Sequence, residues 1–281
     1  RELREIDVVA DYAFLAMDFI ARGAIGYAYL FVNRYLEKTG DYDGARLLPM
    51  YVLYRAMVRA KVAVIGQEQH AARTDRAEDR HSIDRYCALA RAFTSDRRPV
   101  LVLMTGLSGS GKTWLSTRLV PALPALRLRS DLERRRMFGL DETADSESGI
   151  DAGIYDARAD RDVYARLLAT ARDLLRAGIN VILDAAFLDA GHRELVRKLA
   201  ESCKVRRVMI NTVADEQTLA RRVERRKARG DPSEAGIGVL RHQVATRDPL
   251  EPDELAMTIT VDTSEDVDAA ALAARVREFR D

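Results

Sequence analysis

The sequence predicts an α/β fold: a parallel β-sheet flanked by helices over residues 96–281, preceded by an all-α segment over residues 1–95. Three observations carry the prediction. Up to about Phe93 the apolar residues recur at helical spacing, with no alternating strand. From Val100 onward short apolar runs alternate with helical stretches, the pattern of parallel strands joined by crossover helices. Between the first of those runs and its helix lies a glycine-rich turn, Gly106 to Gly111.

The helical half starts with Val8, Phe14, Leu15 and Phe19, continues through Tyr27 to Tyr35, and resumes from Leu47 to Ile65. Its most apolar stretch, Tyr12 to Val32, is long enough to span a bilayer, but it contains Asp18 and Arg22 and is broken by Gly23 and Gly26. A buried helix pair of a soluble protein is the expectation, with no membrane segment. Residues 67–85 turn polar and charged, and Thr94 to Pro99 is a turn-rich basic break that puts the domain boundary near Asp96. Beyond it, Val100 to Met104 predicts a strand and Lys112 to Leu119 a helix. Further strands are expected at Leu126 to Leu128, Ile179 to Leu183, Val205 to Ile210 and Met257 to Val261, with helices from Leu132 to Met137 and Asp160 to Arg176. The sequence opens at Arg1 without a signal-peptide pattern and reads as a fragment whose natural start is missing.

Charge narrows the function classes. The 45 Lys and Arg are nearly cancelled by 44 Asp and Glu, for a net charge of +1. Residues 1–98 hold 16 basic and 14 acidic side chains and the remainder 29 and 30, so neither half is a basic module. A polybasic membrane anchor or a long nucleic-acid surface needs an uncompensated positive field that this chain lacks. Cys87 and Cys203 form neither a disulfide framework nor a metal-ligand pair, which suits a reducing cytoplasm. Only six basic residues are Lys, and one of them, Lys112, lies in the glycine-rich turn.

That turn, Gly106-Leu-Ser-Gly-Ser-Gly-Lys-Thr113, satisfies the Walker A pattern between a predicted strand and a predicted helix. Backbone N–H groups from Ser108 to Lys112 can wrap a β-phosphate, and the helix after the turn adds the partial positive charge of its N-terminus. Gly106, Ser108, Gly109, Ser110, Gly111, Lys112, Thr113 and the adjoining Trp114 are therefore the expected nucleotide contacts. Lys112 would reach the β- and γ-phosphates, and the Thr113 hydroxyl would ligate Mg²⁺.

Four further elements bear on the reaction. Asp131 follows the second strand, where carboxyl ends of strands face a nucleotide. It can take the proton of an attacking hydroxyl or orient Mg²⁺ through water, and Ser130 or Asp131 can equally cap the next helix. Arg134, one turn on, can hold the acceptor, and Arg193 at the start of a later helix is grouped with it as a substrate contact. Its neighbour His192 reads as a surface residue, since no Cys or Ser nucleophile is paired with it by a local pattern. Asp184 ends a strand, as in a Walker B element that holds the water shell of Mg²⁺, or simply as a turn residue. Finally, Arg222 and Arg226 share one helical face and Arg221, Arg225 and Arg229 another. Such a run is either a solvated basic face or a lid whose guanidinium forks stabilise a transferring phosphoryl group.

Residues 100 to about 263 resemble P-loop kinases related to polynucleotide kinase, gluconate kinase and the zeta toxins. The segments that carry the likeness are TGLSGSGKT, RSDLERRRMFG, INVILDAAFLDAGHR and ARRVERRKARGDPSEA, with VLRHQ downstream. The resemblance implies a five-stranded parallel sheet, ATP and Mg²⁺ as cofactors, and phosphoryl transfer to a hydroxyl. It puts Asp131 at the position of the general base, Arg134 at that of a substrate or phosphate contact, and Arg222 and Arg226 on a lid of about 215–235. Residues 1–95 resemble the C-terminal part of an aminoglycoside phosphotransferase-like domain, fused before such kinases in bifunctional bacterial proteins, through IDVVADYAFLAMDF and LLPMYVLYRAMVRAKVAVI. That family's His-Gly-Asp catalytic loop is absent here, so its activity is not expected of this half.

The expected function is an ATP-dependent kinase for a hydroxyl on a small molecule or nucleotide. The competing expectations are an ATP-binding, slowly hydrolysing regulatory module and a 5′-hydroxyl polynucleotide kinase, the latter disfavoured by the balanced charge.

Overall fold

The structure is a computed structural model that describes residues 7–69, 76–94, 98–141, 153–227 and 236–279, the side chains of 67–69, 76–79 and 226–227 excepted. The chain divides into two compact units, Arg1–Arg97 with Ala177–Ile179, and Arg98–Arg176 with Asn180–Asp281.

The first unit is helical: α1 (Val8–Ala21), α2 (Ile25–Thr39), α3 (Tyr42–Ala45), α4 (Leu48–Gln69) and α5 (Arg76–Thr94). Asp7 caps α1 by accepting a 2.9 Å hydrogen bond from Val9 N–H. Gly23, at φ +79°, ends α1 in the left-handed region, where a side chain is strained. The apolar stretch of the sequence is thereby split into two helices, as expected, but Gly26 lies inside α2 and breaks nothing. Ala13, Met17, Val32, Leu36, Val52 and Ala56 fill the core between α1, α2 and α4. Among the described residues no helix is long and apolar enough to cross a membrane.

The second unit is built on β1 (Val100–Thr105), α6 (Lys112–Ala122), β2 (Ala125–Arg129), α7 (Ser130–Met137), α8 (Ala157–Arg176), β3 (Asn180–Asp184) and α9 (Ala190–Cys203). It continues through β4 (Arg206–Val213), α10 (Glu216–Lys227), α11 (Ile237–Thr246), α12 (Pro252–Ala256), β5 (Thr258–Asp262) and α13 (Ala269–Glu278). The five strands form one all-parallel sheet in the order β2-β3-β1-β4-β5, as expected. Each strand is where a short apolar run predicts it, with ends displaced by up to three residues. Central β1 is buried at every position, because helices cover both faces of a parallel sheet and leave no polar side to alternate with.

The strand order decides where chemistry can occur. β1 lies between β3 and β4: the chain leaves it through α6 for β2, beyond β3 on one side, whereas β4 and β5 lie on the other. The crevice at the carboxyl end of β1 is thus the topological switch point, the place where such sheets bind ligands. Thr105 of β1, Asp184 of β3 and Val213 of β4 all end there.

Candidate functional site

The phosphate loop runs from Gly106 to Gly111, and Gly111 is the N-cap of α6 with φ +87°. Two glycines are required for more than flexibility. Gly106 has φ +139°, and a Cβ there would sit 2.5 Å from Thr212 O. Gly109 has φ +83°, and its Cβ would meet Leu219 O of α10 at 2.7 Å. Backbone is in the way in both cases, so no rotamer change relieves the contact. The loop is also held from outside. Thr212 Oγ1 donates to Thr105 O at 3.1 Å and lies 2.7 Å from Ser110 Oγ, while Thr263 Oγ1 donates to Ser110 O at 2.8 Å. Leu107 packs against the cluster of Leu219, Val223 and Leu240, supplied by α10 and α11.

Lys112 Nζ donates to Gly106 O at 2.7 Å and Leu107 O at 2.9 Å, so its ammonium lies over the first half of the loop. At the other end of α6's first turn, Thr113 Oγ1 is 3.4 Å from Asp184 Oδ1, and Ser116 Oγ donates to Asp184 Oδ2 at 2.8 Å. The structure thus brings the two expected metal contacts, Thr113 and Asp184, together across 71 residues. It adds a buried cation. Arg127 of β2 donates to Ser116 Oγ at 2.9 Å and Thr117 Oγ1 at 2.5 Å, and its Nη1 is 3.9 Å from Asp184 Oδ2. The signal for it is present in the sequence, an Arg in mid-run of a buried strand, Leu126-Arg127-Leu128.

The acceptor side is assembled from α7, α8 and α9. The N-cap of α7 is Arg129, not Ser130 or Asp131, so the capping reading of Asp131 gives way. Asp131 stands in the first turn of α7, where a negative charge suits the helix dipole. It is half-exposed, and its carboxylate makes no hydrogen bond or ion pair among the described residues. Arg134 is buried; it donates to Ile154 O at 2.8 Å and to Asp160 Oδ1 at 2.6 Å, and lies over the Tyr155 ring. It orders the wall of the site with two of its five N–H donors engaged by these partners. His192 is not a loose surface residue: its ring stacks on Tyr164 at 3.9 Å and 8°, with Nε2 3.9 Å from Asp160 Oδ2. Burial first, and then the Asp160 charge, push the Tyr164 hydroxyl above its ordinary range, so it stays protonated. Residues 142–152, between α7 and α8, lie outside the described residues.

Arg193 has a different place from the substrate contact expected of it. It is buried, and its guanidinium is spent on Glu254 Oε1 at 2.7 Å, Pro249 O at 2.8 Å and Leu188 O at 3.0 Å. It is a strut tying α9 to the segment before β5. The Arg-rich helix α10 splits by face. Arg221 and Arg225 are exposed, whereas Arg222 donates to Thr263 O at 2.7 Å, Thr263 Oγ1 at 2.8 Å and Gly109 O at 3.3 Å. Arg222 therefore braces the back of the phosphate loop. Arg226 is on α10, but its side chain lies outside the described residues, as do Arg229, Gly230 and Pro232. Trp114 is 37% exposed and carries the Arg118 guanidinium over its ring at 4.0 Å.

The residues present fit a nucleotide with a hard divalent cation. The loop has the crowded glycines that bring backbone N–H groups close to a ligand, and Thr113, Ser116 and Asp184 offer hard oxygens. Among the described residues no group of three or more His, Cys, Asp or Glu side chains could hold a metal alone.

Comparison with known proteins agrees with this architecture. The model of the AAA domain family matches residues 101–250. The chain is 32% identical over 199 residues to uncharacterized proteins of Mycobacterium tuberculosis and Mycobacterium bovis, covering 71% of this chain and 39% of theirs. It therefore spans well under half the length of these curated relatives. It is 31% identical over 164 residues to the adenylyl-sulfate kinase of Synechococcus, covering 56% of this chain and 81% of that enzyme. Among solved structures, a candidate kinase from Chloroflexus aurantiacus superposes with a TM-score of 0.51 at 24% identity, over 66% of this chain and all 100% of the other. Chaetomium thermophilum Kti12 in complex with ADP-AlF3 gives 0.50 at 16% identity, over 64% and 98%. At those identities the likeness is one of fold.

Proposed function

Because the chain belongs to the AAA domain family, with the P-loop kinase fold, we propose that it is an ATP-dependent kinase that phosphorylates a hydroxyl of a small molecule or nucleotide. The observation that carries the reading is the pairing of two features at one crevice. A complete phosphate loop with its Thr113–Asp184 contact lies at the end of β1, and the half-exposed Asp131 follows β2 on the same edge.

Ser108 to Lys112 would hold the phosphates through backbone N–H groups, and Lys112 would neutralise charge on the β- and γ-phosphates. Thr113 and, through water, Asp184 would hold Mg²⁺, which would supply Lewis-acid stabilisation of the phosphate oxygens. Asp131 takes the proton of the acceptor hydroxyl as its oxygen forms a bond to the γ-phosphorus and the bond to the β–γ bridging oxygen breaks, leaving ADP. Arg134, Asp160, Tyr164 and His192 form the wall beside it. The sequence puts Arg222 and Arg226 on a lid. With Arg222 bound to Gly109 O, we assign it to positioning the loop, and leave Arg226 as the lid contact.

Residues 1–95 are read as aminoglycoside phosphotransferase-like helices acting as a scaffold, and a cytoplasmic site suits the two free cysteines. Adenylyl sulfate is the first acceptor to try, being what the Synechococcus relative is named for. The test is transfer from labelled ATP across a panel of hydroxyl acceptors, an oligonucleotide included. ADP formation with no labelled product would favour the regulatory module instead.

Asp131→Asn separates the base from a metal orienter. It should lower kcat by about two to four orders of magnitude with ATP affinity preserved. A rate near wild type would remove Asp131 from the proton transfer.

A further inference from the structure

The kinase assignment gives no task to the VLRHQ segment, yet its last residue reaches the phosphate loop. Gln243, on α11, accepts a 2.8 Å hydrogen bond through Oε1 from Ser108 N–H, across 135 residues of sequence. Ser108 is among the loop residues whose N–H groups would hold the phosphates in the proposed function, and it is buried at 8% exposure. Two independent features hold α11 where this contact forms. Leu240 of α11 packs with Leu219, Val223 and Leu107, which belongs to the loop itself. Arg222 of α10, the helix packed against α11, is bonded to Gly109 O.

An N–H group has one hydrogen to give. A phosphate oxygen that takes the Ser108 hydrogen must displace Gln243 Oε1, and it wins the exchange because a charged acceptor forms a hydrogen bond about twice as strong as a neutral carbonyl does. Glutamine is suited to such an exchange. Its terminal amide carries an acceptor and two donors, and rotation about its last torsion is nearly two-fold, so the side chain that accepted from Ser108 can turn and donate to the incoming oxygen. The position along the loop indicates which phosphate. Lys112 Nζ lies against Gly106 O and Leu107 O, the residues just before Ser108, so this end of the loop faces the terminal phosphates.

We propose that Gln243 is a specificity residue for the γ-phosphate, exchanging its bond to Ser108 N–H for a bond to a terminal phosphate oxygen and thereby favouring nucleoside triphosphate over diphosphate. The proposal rests on the nucleotide-binding part of the kinase reading and is independent of the acceptor.

The experiment is calorimetric titration of the full chain with ADP and with a non-hydrolysable ATP analogue, both with Mg²⁺, for wild type, Gln243→Leu and Gln243→Glu. The leucine variant should bind ADP within about twofold of wild type and lose roughly tenfold for the triphosphate analogue, the loss expected for one hydrogen bond to a charged group. The glutamate variant keeps the shape and the acceptor but cannot donate, and puts a negative charge against the phosphate, so it should lose more. If the leucine variant does not fold, the isosteric glutamate variant decides the same ratio. A triphosphate-to-diphosphate affinity ratio unchanged in the variants would overturn the proposal, as would an equal loss for both nucleotides, the signature of a loop brace alone. So would failure of wild type to bind either nucleotide, which would sink the kinase reading as well. Altered ratios with no phosphoryl transfer would sink only the kinase reading.

Discussion

Lys112→Ala is expected to abolish phosphoryl transfer while the protein stays folded. The Nζ group lies over the first half of the loop, on Gly106 O and Leu107 O, and the sequence of the loop holds no other lysine. Removing it leaves the transferring phosphoryl without a fixed cation on that side, a loss of on the order of 10²–10³-fold in kcat when one preorganised donor is deleted from a developing charge. Stability should change little. The ammonium is half-exposed, and the two carbonyls it leaves are on a loop whose shape is set by Gly106, Gly109, Thr212 and Thr263. Thermal melting together with labelled-ATP transfer tests both halves. Activity near wild type would overturn the kinase assignment, and a collapsed melting temperature would show that Lys112 is chiefly structural.

Arg193→Ala should do the reverse, unfolding the protein at lower temperature while leaving the chemistry of the folded fraction intact. Arg193 is 1% exposed and Glu254 is 8% exposed. Glu254 also accepts from Glu251 N–H at 3.0 Å, so its carboxylate is fixed by the capping box of α12 as well as by the arginine. Deleting the arginine leaves the buried Glu254 carboxylate without its guanidinium partner. The cost of an uncompensated buried charge is about 3–5 kcal/mol. For a domain of this size that lowers Tm by roughly 6–20 °C. Nucleotide affinity below the transition should match wild type, because Arg193 does not touch the phosphate loop. Arg193→Met with Glu254→Leu should recover much of the loss, since an apolar pair leaves no orphaned charge. Loss of acceptor binding in a fully folded Arg193 variant would restore the substrate role that the structure takes from it.

These two residues show what each level of description contributes. Lys112 is legible in the sequence because its chemistry is local: eight consecutive residues between a strand and a helix specify where its ammonium goes. The same holds for Thr113 and for Asp184, which ends its strand as a Walker B element does. Arg193 and Arg222 are misplaced by sequence reasoning because a charged residue at helical spacing looks alike whether it faces a ligand or the protein's own carbonyls. Arg193 finds Pro249 O and Glu254 56 and 61 residues downstream, and Arg222 finds Gly109 O 113 residues upstream. No periodicity encodes a partner at such separations.

The sequence by itself determined the fold class, the five strands and the phosphate loop, since each derives from short-range spacing of apolar residues, glycines and one lysine. The tertiary structure alone decided which charges serve the site. The strand order β2-β3-β1-β4-β5 carries Arg127 to Asp184, α10 onto Gly109 and Gln243 onto Ser108. Once buried, each of those polar groups had to find a partner within hydrogen-bond reach, and only the assembled sheet and its helices determine which partner that is.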